Sequence, residues 1–188
     1  MKSQLKCSPM AGHVDVFTDV RVFIAGFLML LLFLPATSLS DPSSVYLRKA
    51  DAVLVKKSER RLYLMRDGKA FREFQIALGK DPLGAKLFEG DNRTPEGDYF
   101  LDWKNGDSFY YKSIHISYPN QEDLAFAEFV SNCAGGNIMI HGPPVNPEYP
   151  AWLYAEFDWT DGCIAVTSEA MDEIWDSVDE GTPIRILP

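Results

Sequence analysis

From Ala52 onward, short apolar runs alternate with polar turn signals, a rhythm that commits the chain to a mostly β fold. Residues 52–56 and 61–65 flank Lys57-Ser58-Glu59-Arg60. Arg66-Asp67-Gly68-Lys69 then leads into 70–78, and the three runs read as a meander. Further strands are expected at 97–103, 109–117, 137–141, 163–166 and 183–187. Two segments carry helical spacing instead. In 121–131, Leu124, Phe126, Ala127 and Val130 gather near one side. In 168–178, Met171, Ile174, Trp175 and Val178 do so behind a Ser168 N-cap, with Glu169 in the first turn. Both are expected to pack against strands, giving an α+β chain that is mainly β with a few helices. The basic residues Lys56, Lys57, Arg60, Arg61 and Arg66 read as a solvated hairpin rather than a binding patch.

The first forty residues differ from the rest. Lys2, Lys6 and Arg21 precede an uncharged run of 13 residues, 22–34, followed by Pro35 and a small polar stretch. That layout predicts a secretory signal peptide over 1–40. The run is short of the roughly 20 residues a membrane-spanning helix needs, which favours a cleaved signal over an uncleaved anchor. One domain is then expected over 46–188. Without the first forty residues, 15 basic side chains face 25 acidic ones. Such a surface disfavours nucleic acid and anionic lipid as partners. Membrane contact would come only through the signal segment.

Export would also leave two cysteines, Cys133 and Cys163. In an oxidising compartment a pair of cysteines reads first as a disulfide. The setting of Cys163 argues for chemistry instead. In Trp159-Thr160-Asp161-Gly162-Cys163-Ile164-Ala165-Val166 a polar turn with glycine feeds an apolar strand, so the thiol would be both accessible and anchored. A thiol needs a neighbouring base to become a good nucleophile. Only His115 and His141 remain beyond the signal segment. His141 ends an apolar run and precedes Gly142-Pro143-Pro144, where a rigid strand opens into a loop; a satisfied core histidine is the bland alternative. The Gly142 carbonyl or Asp161 could orient its second nitrogen, and the N–H groups around Gly162 and Cys163 could bind an oxyanion. Two long loops are expected, 79–96, rich in Gly, Asp and Pro, and 142–160, which separates the histidine element from the cysteine element. Cys133, in an Asn-Cys-Ala-Gly-Gly stretch, reads as a small packed residue or as a reversible partner of Cys163.

These residues resemble the L,D-transpeptidase catalytic domain (YkuD type), whose signature joins a His-Gly element to a Ser/Thr-x-Gly-Cys element. Here the two are His141-Gly142 and Thr160-Asp161-Gly162-Cys163. The likeness extends in the family's order through Arg61-Leu62-Tyr63-Leu64, Ala77-Leu78-Gly79, Arg93-Thr94-Pro95-Glu96-Gly97 and Ile114-His115-Ile116-Ser117-Tyr118-Pro119. It implies an L,D-transpeptidase-like mixed β-sandwich or barrel in which cysteine and histidine face a groove. It also implies an exported enzyme of the periplasm or cell envelope, needing no cofactor and no metal. By resemblance, Cys163 attacks the carbonyl of an L-centre, diaminopimelate in type, in a peptidoglycan stem tetrapeptide. His141 is the base, Gly142 its orienter, and Gly162 and Cys163 supply oxyanion N–H groups. The acyl group would pass to an amine on another stem or on a wall-attached lipoprotein. Thr160, Asp161, His115 and Tyr118 are the expected substrate contacts. Two departures bear on substrate recognition: Asp161 stands where the family commonly has histidine, and Ala165 where a polar residue often stands.

Three other readings remain to be separated. A hydrolytic relative would keep the nucleophile and pass the acyl group to water, as an L,D-carboxypeptidase or an amidase. A noncatalytic wall-binding domain would not need the thiol. A zinc site built from Cys133, Cys163, His115 and His141 has suitable ligand types but no close pair to anchor it.

Overall fold

The computed structural model describes residues 48–130 and 132–188. The expected signal segment at 1–40 and the expected domain start at 46 lie outside the described residues. Strands β1 (Ala52–Lys56), β2 (Arg61–Arg66), β3 (Lys69–Gln75), β4 (Gly97–Asn105), β5 (Ser113–Ile116), β6 (Met139–His141), β7 (Ile164–Ala165) and β8 (Thr182–Leu187) form one sheet. Its order is β3-β2-β1-β8-β4-β5-β6-β7. The β1–β8 and β6–β7 pairs are parallel and the other neighbours antiparallel.

Period-two alternation explains which side chains go inward. Val53 and Val55 of β1, Leu62 and Leu64 of β2, and Ile184 and Ile186 of β8 are at most 1% exposed. Leu101, Ile114, Ile116, Ile140 and Ile164 continue the same core across the remaining strands. Each such side chain stabilises the fold by about 2 kcal/mol through burial. Beyond β3 the chain crosses to the other end of the sheet. Ala77 exchanges two backbone hydrogen bonds with Ala165, at 2.8 and 2.9 Å, and the Thr160 N–H donates to the Leu78 carbonyl at 3.1 Å. The sheet thus curls into a half-barrel, and the turn before Cys163 is pinned to the segment after β3.

Two helices accompany the sheet. Helix α2 (Ser168–Ser177) packs as expected, with Met171, Ile174 and the following Val178 fully buried. Its N-cap is Thr167 rather than Ser168, because Thr167 has the extended backbone a cap needs and its side chain accepts from the Ala170 N–H. Helix α1 (Gln121–Phe129) departs from expectation: Ala127 is buried, whereas Leu124 and Phe126 are 53% and 43% exposed. It is held by its start instead. Asn120 and Asp123 form a reciprocal capping box, and Asp123 also accepts from the Tyr99 hydroxyl at 3.0 Å.

Other expectations change for local reasons. The strand expected at 109–117 begins only at Ser113, because Lys112 has a φ of 46° and breaks the extended run. The freed residues 109–112 fold toward the loop after β6, with the Tyr111 N–H donating to the Pro143 carbonyl. The basic hairpin is not uniformly solvated either. Lys57 is 2% exposed, its ammonium drawn inside by three oxygen acceptors.

Candidate active site

His141 is the last residue of β6, and Cys163 immediately precedes β7. Across these parallel strands Ile140 pairs with Ile164 and His141 with Ala165, which sets Cys163 beside Met139. Alternation sends Ile140 and Ile164 into the core and leaves imidazole and thiol on the opposite face of the sheet. Standard strand spacings put the two Cα atoms roughly 8 Å apart.

The imidazole is fixed on three sides. Nδ1 lies 2.7 Å from the carbonyl oxygen of Gly142. A carbonyl only accepts, so Nδ1 carries the proton and Nε2 keeps its lone pair. The Tyr110 ring lies against the imidazole at 4.4 Å between centroids, and Trp159 meets it edge-on at 5.6 Å. Trp159 is itself held by its indole N–H, which donates to the Tyr154 carbonyl in the 3₁₀ turn Ala151–Ala155. Glycine is required at 142 because a Cβ there would stand 2.6 Å from the Tyr111 carbonyl oxygen.

Burial determines the resting charge state. His141, 2% exposed, has its pKa pushed down to about 4, with the Gly142 carbonyl opposing the shift only in part. Burial pushes the Cys163 thiol up, and the negative charge of Asp161 adds to that; an N–H of the backbone at Met139 and the Lys86 ammonium act in the other direction. The thiol donates to the Asn137 carbonyl at 3.7 Å. Near neutral pH the thiol and the imidazole, on one face of the sheet, are therefore both uncharged. Such a pair suits general-base attack, with the proton moving as the new bond forms.

The turn that presents Cys163 is tied from within. The Thr160 hydroxyl accepts from the Gly162 N–H at 3.1 Å and donates to the Cys163 carbonyl at 2.8 Å. Thr94, from the long 79–96 loop, donates to the same carbonyl at 3.4 Å and accepts from the Gly79 N–H at 3.0 Å. Gly162 has a φ of 133°, and a Cβ on it would come within 2.7 Å of the Arg93 carbonyl oxygen. Only glycine lets the two loops close over each other there.

The remaining expected site residues are placed as follows. Thr160 is buried and spends its hydroxyl on the turn, so it shapes the site rather than meeting substrate. The Gly162 N–H is already donated to that hydroxyl, which removes it from the expected oxyanion pair. Asp161 projects outward, 80% exposed, and pairs with Lys80 at 2.7 Å on the rim. His115 pairs with Met139 in the β5–β6 register and so shares the sheet face of Cys163. Its Nδ1 lies 2.6 Å from Asp102, and its ring stacks on Trp103. Tyr118 does not fit its expected place in the groove: it is 3% exposed, packs edge-on against Tyr99, and donates its hydroxyl to the Ala134 carbonyl.

Cys133 is exposed rather than packed, and both it and Cys163 are free thiols. Among the described residues no three His, Cys, Asp or Glu side chains are grouped to hold a metal ion. Sequence reasoning missed Tyr110 and Trp159 as walls of the imidazole slot. Trp159 stood next to the cysteine element; Tyr110 carried no signal of its own.

Comparison with known proteins identifies the family. Residues 50–186 match the family described as the L,D-transpeptidase catalytic domain. A relative from Escherichia coli (strain K12), YafK, bears an L,D-transpeptidase name and is 31% identical over 132 residues, covering 67% of this chain and 46% of its own length. Among solved structures, the helical cell shape determining protein Pgp2 from Campylobacter jejuni is 29% identical with a TM-score of 0.54, covering 72% of this chain and 46% of Pgp2. Bd1075 from Bdellovibrio bacteriovorus is 25% identical with a TM-score of 0.50, over 72% of this chain and 47% of its own. The chain thus spans about half the length of these relatives. The match along nearly all of residues 48–188 shows that the chain belongs to the L,D-transpeptidase catalytic domain family.

Proposed function

We propose that this domain is an exported cysteine acyltransferase of the cell envelope, a peptidoglycan L,D-transpeptidase. The reading is carried by a buried imidazole, its Nδ1 tied to the Gly142 carbonyl and its Nε2 lone pair free, on the same sheet face as a part-exposed thiol at the entry to the adjoining strand. Nε2 of His141 takes the thiol proton as Cys163 Sγ attacks the carbonyl of the L-centre in a stem tetrapeptide. The same proton passes to the leaving amine of the terminal D-residue, and a thioester remains on Cys163. An amine from a second stem, or from a wall-attached lipoprotein, then attacks the thioester; His141 removes its proton, and the thiol is regenerated. His115 and Asp161 stand on the sheet face and the rim where they can contact the stem. The name of YafK and the cell-shape role stated for Pgp2 support a place in wall remodelling.

The test is product analysis. Wild-type protein is given a stem tetrapeptide with and without an isotopically labelled amine acceptor. Labelled crosslinked product supports the transferase. Release of tripeptide alone, unaffected by acceptor, would replace it with the hydrolytic reading, in which water takes the acceptor's place.

A further inference from the structure

Two cations of the β1–β2 turn are not used by the chemistry above, yet each holds one of the loops that meet at Cys163. Lys57 has three ammonium donors and three acceptors: the Gly84 carbonyl at 2.5 Å, the Thr94 carbonyl at 3.0 Å and the Glu96 carboxylate at 2.8 Å. A lysine with 2% exposure is costly unless every donor is met, and here every donor serves the 79–96 loop. That loop in turn sets the Arg93 carbonyl against Gly162 and the Thr94 hydroxyl on the Cys163 carbonyl.

Arg60, three residues on, grips the other side. It is held in a left-handed conformation, φ 52°, and its guanidinium binds both carboxylate oxygens of Asp158. Asp158 also accepts from the Leu78 N–H at 2.8 Å, and it lies two residues before Thr160, whose hydroxyl closes the cysteine turn. The Arg60 carbonyl accepts from the Ile76 N–H, so the same residue anchors the segment to which that turn is hydrogen-bonded.

We infer that the β1–β2 turn is a clamp that positions the nucleophile: Lys57 through Thr94, and Arg60 through Asp158, fix the 160–163 backbone from both sides. Neither cation touches a reacting atom in this account; both are positioning residues. The inference rests on the reading of Cys163 as nucleophile. Attack on a carbonyl demands an accurate placement of thiol and oxyanion donors, whereas alkylation of a thiol by iodoacetamide does not. The two reactions therefore separate positioning from the reactivity of the sulfur itself.

The experiment compares wild type, Lys57→Met and Arg60→Lys, the last keeping the charge but losing the two-pronged grip. Each is assayed for acylation of Cys163 by a carbapenem, alkylation by iodoacetamide, and amide hydrogen exchange over 158–163. In both variants acylation is expected to slow by about tenfold or more. Alkylation should stay within about twofold of wild type. Exchange over 158–163 should quicken while the β6 amides keep their protection. Wild-type acylation rates in either folded variant would overturn the clamp, as would acylation and alkylation falling together. If Lys57→Met does not fold, the part-exposed Arg60 carries the test through Arg60→Lys. If wild type itself is not acylated, the functional reading fails, and unchanged or quickened exchange over 158–163 still decides the clamp.

Discussion

Ile140 and Ile164 face each other across the parallel strands β6 and β7, and that pairing turns His141 and Cys163 to one side of the sheet. The two isoleucines thus fix which face of the sheet His141 and Cys163 occupy. A shift of one residue in this register would send the imidazole to the opposite face. The core cluster that contains both isoleucines holds the register in place.

If His141 is the base of the proposed reaction, its depressed pKa sets the acid limit. The base must be neutral to accept the thiol proton, so the rate should fall only as pH drops through about 4. The second-order rate of Cys163 acylation, measured from pH 3.5 to 8, checks this. An acid limb near 6.5 would mean that the imidazole is not held buried between Tyr110 and Trp159.

The same shift makes stability depend on pH. The folded-state pKa lies below the unfolded value of 6.5, so at neutral pH both states hold a neutral imidazole and nothing is lost. As pH falls from 6.5 toward about 4, the unfolded chain takes up a proton that the folded protein refuses. The loss over that window should approach about 3 kcal/mol. Urea unfolding of wild type and His141→Gln at pH 7 and pH 4.5 measures it, and the variant should lack most of the difference.

Gly162→Ala should damage both fold and site. The new Cβ would stand 2.7 Å from the Arg93 carbonyl oxygen, on a backbone with φ of 133°. We expect a loss of about 2 kcal/mol or more in thermal or urea unfolding, together with loss of acylation.

Tyr118→Phe separates a core role from a substrate role. Its hydroxyl donates to the Ala134 carbonyl within the core. The variant should lose about 1 kcal/mol of stability and keep its rate of acylation at a temperature where it is folded. A selective rise in KM for stem peptide would return Tyr118 to the groove.

What could be read from the chain beforehand followed from local pattern. The alternation of β1, β2 and β8 announces which side faces the core, and the spacing of Met171, Ile174 and Val178 announces the buried face of α2. His141-Gly142 and Thr160-Asp161-Gly162-Cys163 were legible because each element is contiguous. What escaped depends on partners far along the chain. Lys57 looks like a surface lysine until Gly84, Thr94 and Glu96 are folded over it. Thr160 looks like a groove residue until its hydroxyl is seen closing the turn. The apolar positions of α1 suggested packing, but its capping box and the Asp123 bond to Tyr99 hold the helix with Leu124 and Phe126 outward.

The most direct test of the central claim is the intact mass of wild type and Cys163→Ala after incubation with a carbapenem. Folded, reduced wild type should carry a single stable adduct and the variant none. The absence of an adduct on wild type, or equal labelling of both proteins, would contradict Cys163 as the activated nucleophile.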